Sequence, residues 1–370
     1  MPDLFSPLAV GPYTLASRII MAPLTRCRAG DGDAPVPLNA EYYAQRADPH
    51  TGCSLIISEA SPISQQAVGY PHTPGIHTDQ QIAGWKLVTD AVHSKGGRIY
   101  CQLWHVGRIS HPDYQPDNAL PVAPSAVNPG GEVRTPTGMK PRVTPRPLNR
   151  DEIPAIIADY RHAAACALRA GFDGVELHGA NGYLPHQFLS DGSNLRTDDY
   201  GGSVPNRARF LLEAARACVD VWGPARVGVR LSPSAAYHGM GDSNPRDTFA
   251  YAVQQLAALN VGYLHIMETI PGWPAISDPV PVRYFRPMYR GPIITNGGFT
   301  FDRAQQYIRD GWADAVAFGT LMIANPDLTA RFRRLASGDS SVPFNTPNHD
   351  TYYTPGPIGY TDYPFLPAHT

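Results

Sequence analysis

The runs SLIIS at residues 54–58 and AVAF at residues 315–318 indicate the fold class. Each is short, uncharged and apolar at its centre, which is typical of parallel strands that are buried on both faces. Comparable runs recur along the chain. We therefore predict eight strands: Ile19–Ala22, Leu55–Glu59, Arg98–Leu103, Gly174–Leu177, Val227–Leu231, Tyr263–Met267, Ile293–Asn296 and Ala315–Phe318.

Helical stretches separate these strands. They are predicted over residues 79–95, 151–170, 205–222, 245–259 and 302–309, with proline near several starts and glycine after several ends. Eight strands alternating with helices in a chain of 370 residues favour an α/β fold of the (β/α)8 TIM barrel type over an open doubly wound sheet. No GxGxxG follows a predicted strand, which argues further against a Rossmann fold.

We expect a single domain over residues 1–370, because neither a linker nor an internal repeat divides the chain. Residues 104–150 are rich in proline and lie between the third strand and its helix, so we predict a loop excursion over the C-terminal face of the barrel. Residues 337–370 contain many Pro, Thr and Tyr residues. Their aromatic side chains favour a tail that packs near the barrel mouth.

Composition excludes several classes of protein. The formal charge is −2, from 30 basic and 32 acidic residues, so no basic excess indicates nucleic-acid binding. The chain has no apolar stretch long enough to span a membrane and no recognisable signal peptide. Its five cysteines are scattered, which indicates reduced thiols and neither disulfides nor a metal site. We expect a cytoplasmic protein.

The segment GVELHGANGYL at residues 174–184 concentrates polar groups after a predicted strand. In a TIM barrel, chemistry occurs at the C-terminal ends of the strands. His178 and Asn181 can donate hydrogen bonds there, and Tyr183 carries a weakly acidic proton. Any one of them alone is more simply explained as a loop residue.

Other strand ends point to the same face. Gln102 lies in the third strand and Arg230 in the fifth, while Gly297-Gly298 and Gly319 follow the seventh and eighth, where such barrels commonly bind phosphate. Alternatives remain for each: Arg230 could pair with Glu176 or Glu59, and the glycine pair could be a tight turn. Together, these residues predict a (β/α)8 enzyme with a phosphate-bearing ligand.

Several sequence motifs indicate the family to which this chain would belong. MAPLTR (21–26), QLWHVGR (102–108), ELHGANGYL (176–184), SNLRTDDYGGS (193–203), ANPDL (324–328) and GYTDYP (359–364) resemble the old yellow enzyme family. The resemblance extends from about Leu4 to Leu366, and the threonine at position 25 indicates the classical branch of the family. It implies non-covalent FMN, with NADPH or NADH as a transient reductant.

The resemblance also implies residue roles. FMN would contact Pro23, Thr25, Ala60, Gln102, Arg230, Gly298, Phe299, Gly319 and Thr320, with Arg230 facing the flavin N1 and O2 atoms. His178 and Asn181 would bind the activating oxygen of the substrate, and Tyr183 would protonate its α-carbon. Tyr70, Trp104, Trp273 and Tyr353 would form the pocket wall and lid. One departure stands out, because Thr320 occupies the position of an arginine that contacts the FMN phosphate in the family.

The implied activity is NAD(P)H-dependent reduction of enones, enals, maleimides or nitroalkenes by a monomer or homodimer. Three alternatives are a nitro or nitrate-ester reductase, a flavin-binding protein with little turnover, and an oxidative FMN barrel. The scattered cysteines argue against the last, whose relatives carry an iron–sulfur cluster. An aldolase or isomerase barrel would need a lysine or carboxylate base at a strand end, and none is evident.

Overall fold

Eight parallel strands form the centre of the protein, in a computed structural model that describes residues 1–367. The strands are β1 (Ile19–Met21), β2 (Leu55–Ile57), β3 (Ile99–Trp104), β4 (Gly174–Gly179), β5 (Val227–Leu231), β6 (Tyr263–Met267), β7 (Ile293–Asn296) and β8 (Ala315–Phe318). Each strand pairs in parallel with the next, and β8 pairs with β1, so the sheet is closed. The predicted (β/α)8 barrel is confirmed.

The apolar character of the strands follows from their burial on two sides. Successive residues of a strand point to opposite faces. Ile20 belongs to the cluster inside the barrel, whereas Ile19 packs in the cluster between the strands and the helices. An antiparallel hairpin of Leu8–Val10 and Tyr13–Leu15 adds Val10 to the inner cluster and covers the N-terminal end of the barrel. The cavity of the barrel lies at the opposite, C-terminal end.

Nine α-helices occur within residues 1–367: α1 (Pro37–Ala44), α2 (Asp79–Ser94), α3 (Ile153–Arg169), α4 (Leu184–Leu189), α5 (Val204–Trp222), α6 (Pro245–Ala258), α7 (Phe301–Arg309), α8 (Thr320–Ala324) and α9 (Leu328–Ala336). The five predicted helices correspond to α2, α3, α5, α6 and α7, with ends that differ by no more than two residues. The connection from β6 to β7 contains only 3-10 turns, at Val282–Tyr284 and Arg286–Met288. Its many prolines lack the N–H that a longer helix needs.

The segment after β3 is bound to the loop after β5. The sequence analysis took Trp104 as the first residue of the excursion. In the structure, Trp104 is instead the last residue of β3. The guanidinium of Arg108 donates to the carbonyl oxygens of Val127, His238 and Gly239. A hairpin of residues 132–141 lies further along the segment. These contacts bring part of the segment beside the open end of the barrel.

The tail is held by two buried arginines that follow β1. Arg26 donates to the carbonyl oxygens of Tyr352 and Gly359, and Arg28 donates to those of Tyr352 and Gly356. The ring of Tyr360 is fully buried and completes this anchor. Tyr352 is thereby held near the end of β1. Residues 368–370 of the predicted tail lie outside the described part of the chain.

Candidate active site

A cavity of about 460 Å³ lies at the C-terminal ends of the strands. This volume is within the range of about 300–1,000 Å³ that is usual for ligand pockets. Every residue that the sequence analysis assigned to a site lines it: Pro23, Thr25, Ala60, Tyr70, Gln102, Trp104, His178, Asn181, Tyr183, Arg230, Trp273, Gly298, Phe299, Gly319, Thr320 and Tyr353. The structure thus brings these residues together, while their individual roles stay predictions.

His178 is a neutral hydrogen-bond donor on the cavity wall. β4 continues two residues beyond its predicted end, so His178 lies inside the strand and is 3 % exposed. Burial, followed by the nearby charge of Arg230, lowers the pKa of its imidazole well below the usual range. Nδ1 accepts the N–H of Ala180 at 3.4 Å, which places the proton of the neutral ring on Nε2.

Two residues that the sequence analysis missed hold Asn181 in place. Asn181 adopts a left-handed backbone conformation with φ of 60°, which asparagine tolerates better than most residues. The Tyr237 hydroxyl donates to Asn181 Oδ1 at 2.6 Å, and a ring nitrogen of His238 lies 2.9 Å from the Asn181 carbonyl oxygen. Both also line the cavity. The only sequence signal for them was their place after β5.

Tyr183 is a buried phenol within an aromatic cluster. Its ring packs edge-on against Trp104, with centroids 5.0 Å apart, and against His178 at 4.9 Å. Its hydroxyl lies 3.4 Å from that of Tyr70. Burial, followed by the proximity of Tyr70, raises the pKa of Tyr183 well above its usual value. The phenol is therefore protonated at neutral pH and can act as an acid.

Arg230 supplies a buried positive charge without a matching anion in contact. It is 5 % exposed, and in the described part of the chain the only hydrogen-bond partner of Nη2 is the Met267 thioether sulfur, at 3.6 Å. Nε has no hydrogen-bond partner within residues 1–367. No ion pair to Glu176 or Glu59 forms in this part of the chain, so that structural alternative is wrong. A buried charge without a partner is costly, and an electron-rich ligand in the cavity would offset that cost.

Glu176 organises the polar groups inside the barrel next to Arg230. Its carboxylate accepts from Gln102 Nε2 at 2.7 Å and from the Tyr263 hydroxyl at 3.1 Å, and it lies 3.0 Å from His265 Nδ1. All four side chains are buried. The contact with Glu176 fixes which way the Gln102 amide faces. Gln102 can then present its carbonyl oxygen and second N–H to a ligand.

Main-chain N–H groups form the opposite side of the cavity. Gly297 and Gly298 have φ of 135° and 64°, so the bend of the main chain here requires glycine. A Cβ at Gly297 would lie only 2.8 Å from the Glu268 carbonyl oxygen. Within residues 1–367, no acceptor takes the N–H groups of Gly298 and Phe299. They are available to an anion.

The rim of the cavity includes Thr320, the residue that departs from the family's motif. Thr320 is exposed at the start of α8 and lines the cavity together with the tail residue Tyr352. Trp273 and Tyr353 also stand at the rim, with 54 % and 50 % of their surface exposed. The deep part of the cavity is therefore buried and polar, whereas its entrance is aromatic.

This donor set fits FMN. A buried guanidinium without a partner suits the N1 and O2 edge of a flavin, and the oriented amide of Gln102 suits its pyrimidine ring. The free N–H groups of Gly298 and Phe299 suit a phosphate. Among residues 1–367, no cluster of three or more His, Cys, Asp or Glu side chains could hold a metal ion. The five cysteines are all buried and free.

Comparisons with known proteins identify the family. The model of the NADH:flavin oxidoreductase / NADH oxidase family matches residues 3–336. The chain is 44 % identical over 370 residues to 12-oxophytodienoate reductase 1 of Oryza sativa subsp. japonica, which covers 98 % of this chain and 93 % of that one.

Two solved structures are similar over almost the entire chain. Morphinone reductase in complex with tetrahydroNAD is 48 % identical, with a TM-score of 0.90 over 99 % of this chain and 98 % of that one. The old yellow enzyme homologue of Zymomonas mobilis is 42 % identical, with a TM-score of 0.93 over 99 % of this chain and all of the other.

Fold and site together define a flavin-dependent oxidoreductase on a (β/α)8 barrel. The chain belongs to the NADH:flavin oxidoreductase / NADH oxidase family. It is an FMN-dependent NAD(P)H oxidoreductase of the old yellow enzyme type, an ene-reductase. Within residues 1–367, no α-helix combines the length and the apolar character that crossing a bilayer requires.

Proposed function

We propose that this enzyme reduces C=C bonds that are activated by a carbonyl or nitro group, as in enones, enals, maleimides and nitroalkenes. One observation carries the proposal. The Nε2–H of His178, the amide of Asn181 and the protonated hydroxyl of Tyr183 line a single cavity with the buried charge of Arg230. This set can bind an oxygen, supply a proton and stabilise an electron-rich cofactor.

FMN, when bound, supplies the chemistry of hydride transfer. Arg230 would face its N1 and O2 atoms, where a fixed positive charge stabilises the negative charge that arises on reduction. Gln102, oriented by Glu176, would pair with the pyrimidine edge. The N–H groups of Gly298 and Phe299 would hold the phosphate.

The remaining predicted contacts complete the cofactor site. Thr25 would donate its hydroxyl to the flavin O4, and Pro23 and Ala60 would line the ring through their main chains. Gly319 and Thr320 would approach the phosphate from the end of β8. All five residues line the cavity.

His178 and Asn181 would bind the activating oxygen of the substrate. Neutral imidazole and carboxamide N–H groups donate to this oxygen and withdraw electron density from the conjugated C=C bond. The β-carbon then accepts a hydride more readily. Because the pKa of His178 is lowered, the residue works as a neutral donor at physiological pH and carries no net charge.

Tyr183 would protonate the α-carbon. Its raised pKa keeps the proton on the phenol until a strongly basic carbon develops nearby. The hydroxyl of Tyr70 at 3.4 Å can hydrogen-bond the resulting phenolate. Trp104 packs against both rings and keeps water from this side of the cavity.

The proposal also includes the reductant, the cellular location and the oligomeric state. We infer that NADH or NADPH enters the cavity, reduces the cofactor and leaves before the alkene binds, because one opening serves both. The tetrahydroNAD complex of morphinone reductase supports a nicotinamide in this place. A cytoplasmic location and a monomer or homodimer complete the proposal, and the five free cysteines agree with a reducing compartment.

Product analysis tests this function. Purified holoenzyme is incubated without oxygen with cyclohexenone and either NADPH or NADH. The proposal predicts one cyclohexanone formed for each nicotinamide consumed. Consumption of nicotinamide only in the presence of oxygen, without cyclohexanone, would instead identify a flavin-binding protein with little alkene turnover.

A further inference from the structure

The hydrogen bonds of Asn181 leave one of its polar groups unused. Its main-chain N–H donates to Ser232 Oγ at 2.7 Å, and its carbonyl oxygen lies 2.9 Å from His238 Nδ1. Its side-chain Oδ1 accepts from the Tyr237 hydroxyl at 2.6 Å. Only the Nδ2 group has no partner within residues 1–367, and Asn181 lines the cavity.

Tyr237 is well fixed for this contact. Its ring packs edge-on against Trp273, with centroids 5.2 Å apart. The preceding residue, Ala236, donates its N–H to the Pro274 carbonyl oxygen at 3.2 Å, which ties the loop after β5 to the loop after β6. Among the described residues, the only other hydrogen-bond partner of the Tyr237 hydroxyl is the weakly accepting Met267 sulfur at 3.6 Å. Burial raises the pKa of Tyr237, so the hydroxyl keeps its proton.

We propose that Tyr237 is a positioning residue that fixes the Asn181 amide with Nδ2 towards the ligand. This inference rests on the proposed function, in which Asn181 binds the activating oxygen. A carboxamide can turn by half a rotation and exchange its oxygen and nitrogen. In the turned state Oδ1 would face the oxygen of the ligand, and two acceptors would then oppose each other. The Tyr237 hydroxyl disfavours that state, because it would lose its oxygen acceptor and could then donate only to the weakly accepting Met267 sulfur.

The contact also defines the chemistry of ligands at this wall. With Nδ2 fixed, Asn181 and His178 both donate, so the wall selects a ligand atom that only accepts. Carbonyl, nitro and phenolate oxygens meet this requirement. Without Tyr237 the amide can turn, and the preference over ligands that donate a hydrogen bond should diminish.

A double-mutant cycle on the FMN-loaded enzyme tests the inference. Phenol is titrated against the wild type, Tyr237→Phe, Asn181→Ala and the double variant, and binding is followed by the flavin absorbance. Tyr237→Phe should weaken phenol binding about three- to tenfold when Asn181 is present, the value of one neutral hydrogen bond. In the Asn181→Ala background the same change should matter less than about twofold. Tyr251→Phe, on α6 and outside the cavity, is the matched control.

Each outcome decides between explanations. Equal losses in both backgrounds would show that Tyr237 contacts the ligand itself or only supports the fold, and would overturn the inference. Unchanged binding in Tyr237→Phe, with normal binding by the wild type, would overturn it as well. Failure of the wild type to bind phenol would overturn the oxygen-binding role of Asn181 and this inference with it. The FMN content of each purified variant, read from the ratio of flavin to protein absorbance, checks that it retains its cofactor site.

Discussion

The two sides of the cavity are built from different parts of the chain. On the side of β4 and β5, the cavity is lined by polar side chains. Each presents one chemical group to the cavity: His178, Asn181, Tyr183 and Arg230. On the side of β7 and β8, main-chain N–H groups line the cavity, and glycines allow their approach. We therefore propose that side-chain identity sets the reaction on the first side. The second side has the main-chain donors of Gly298 and Phe299 although Thr320 carries no charge.

The largest effect is expected on the side-chain wall. Tyr183→Phe removes the acid and should slow alkene reduction by about 100-fold, since a positioned general acid contributes at least that much. Flavin reduction by NADPH should stay close to the wild-type rate, because it needs no proton from this residue. Stopped-flow measurement of each half-reaction separates the two. An equal loss in both would refute the proton-donor role.

A large effect on cofactor binding is expected at Arg230. Arg230→Met keeps an unbranched, flexible side chain but removes the guanidinium and its charge, and it should weaken FMN binding by about 1.5–3 kcal/mol, the usual value of a charged hydrogen bond. The dissociation constant of FMN, measured on reloaded apoprotein, reports this directly. Arg161→Met on the exposed face of α3 is the control. Identical FMN affinities for Arg230→Met and the wild type would argue that the guanidinium does not face the flavin.

A moderate effect is expected at His178. Replacing it with alanine removes one neutral donor to the ligand oxygen, so phenol binding should weaken by about 1 kcal/mol, roughly fivefold. The shift in flavin absorbance on adding phenol measures this affinity. If the variant binds phenol as tightly as the wild type does, His178 is not part of the oxygen site.

An effect no larger than that at His178 is expected on the main-chain side. Thr320→Arg should tighten FMN binding by about 1 kcal/mol, the difference between a charged and a neutral hydrogen bond to the phosphate. Gln306→Arg, exposed on α7, adds the same charge outside the cavity as a control. No tightening in Thr320→Arg would mean that the N–H groups already satisfy the phosphate, or that another cation replaces the missing arginine.

Sequence reasoning succeeded where the evidence is local. The apolar strands are continuous runs, and the polar residues at their C-terminal ends, such as His178, converge because parallel strands end at one face. Tyr237 was missed because its partner, Asn181, lies 56 positions away in the chain. The helices α1, α4, α8 and α9 were missed, and each has nine residues or fewer, which leaves little helical period to recognise. The equally short α7 was predicted because Gly311 follows its end. Contacts between loops form only after the barrel has closed and brought distant segments together. A short stretch of sequence therefore carries no signal for them.

The most direct measurement follows the cofactor colour of the purified enzyme through one complete cycle without oxygen. NADPH is added first, followed by cyclohexenone. The account predicts that the oxidised FMN absorbance disappears with NADPH and returns with cyclohexenone, with one cyclohexanone formed for each FMN. FMN that stays reduced after cyclohexenone is added, in a protein that NADPH reduces normally, would contradict the assignment of this cavity to alkene reduction.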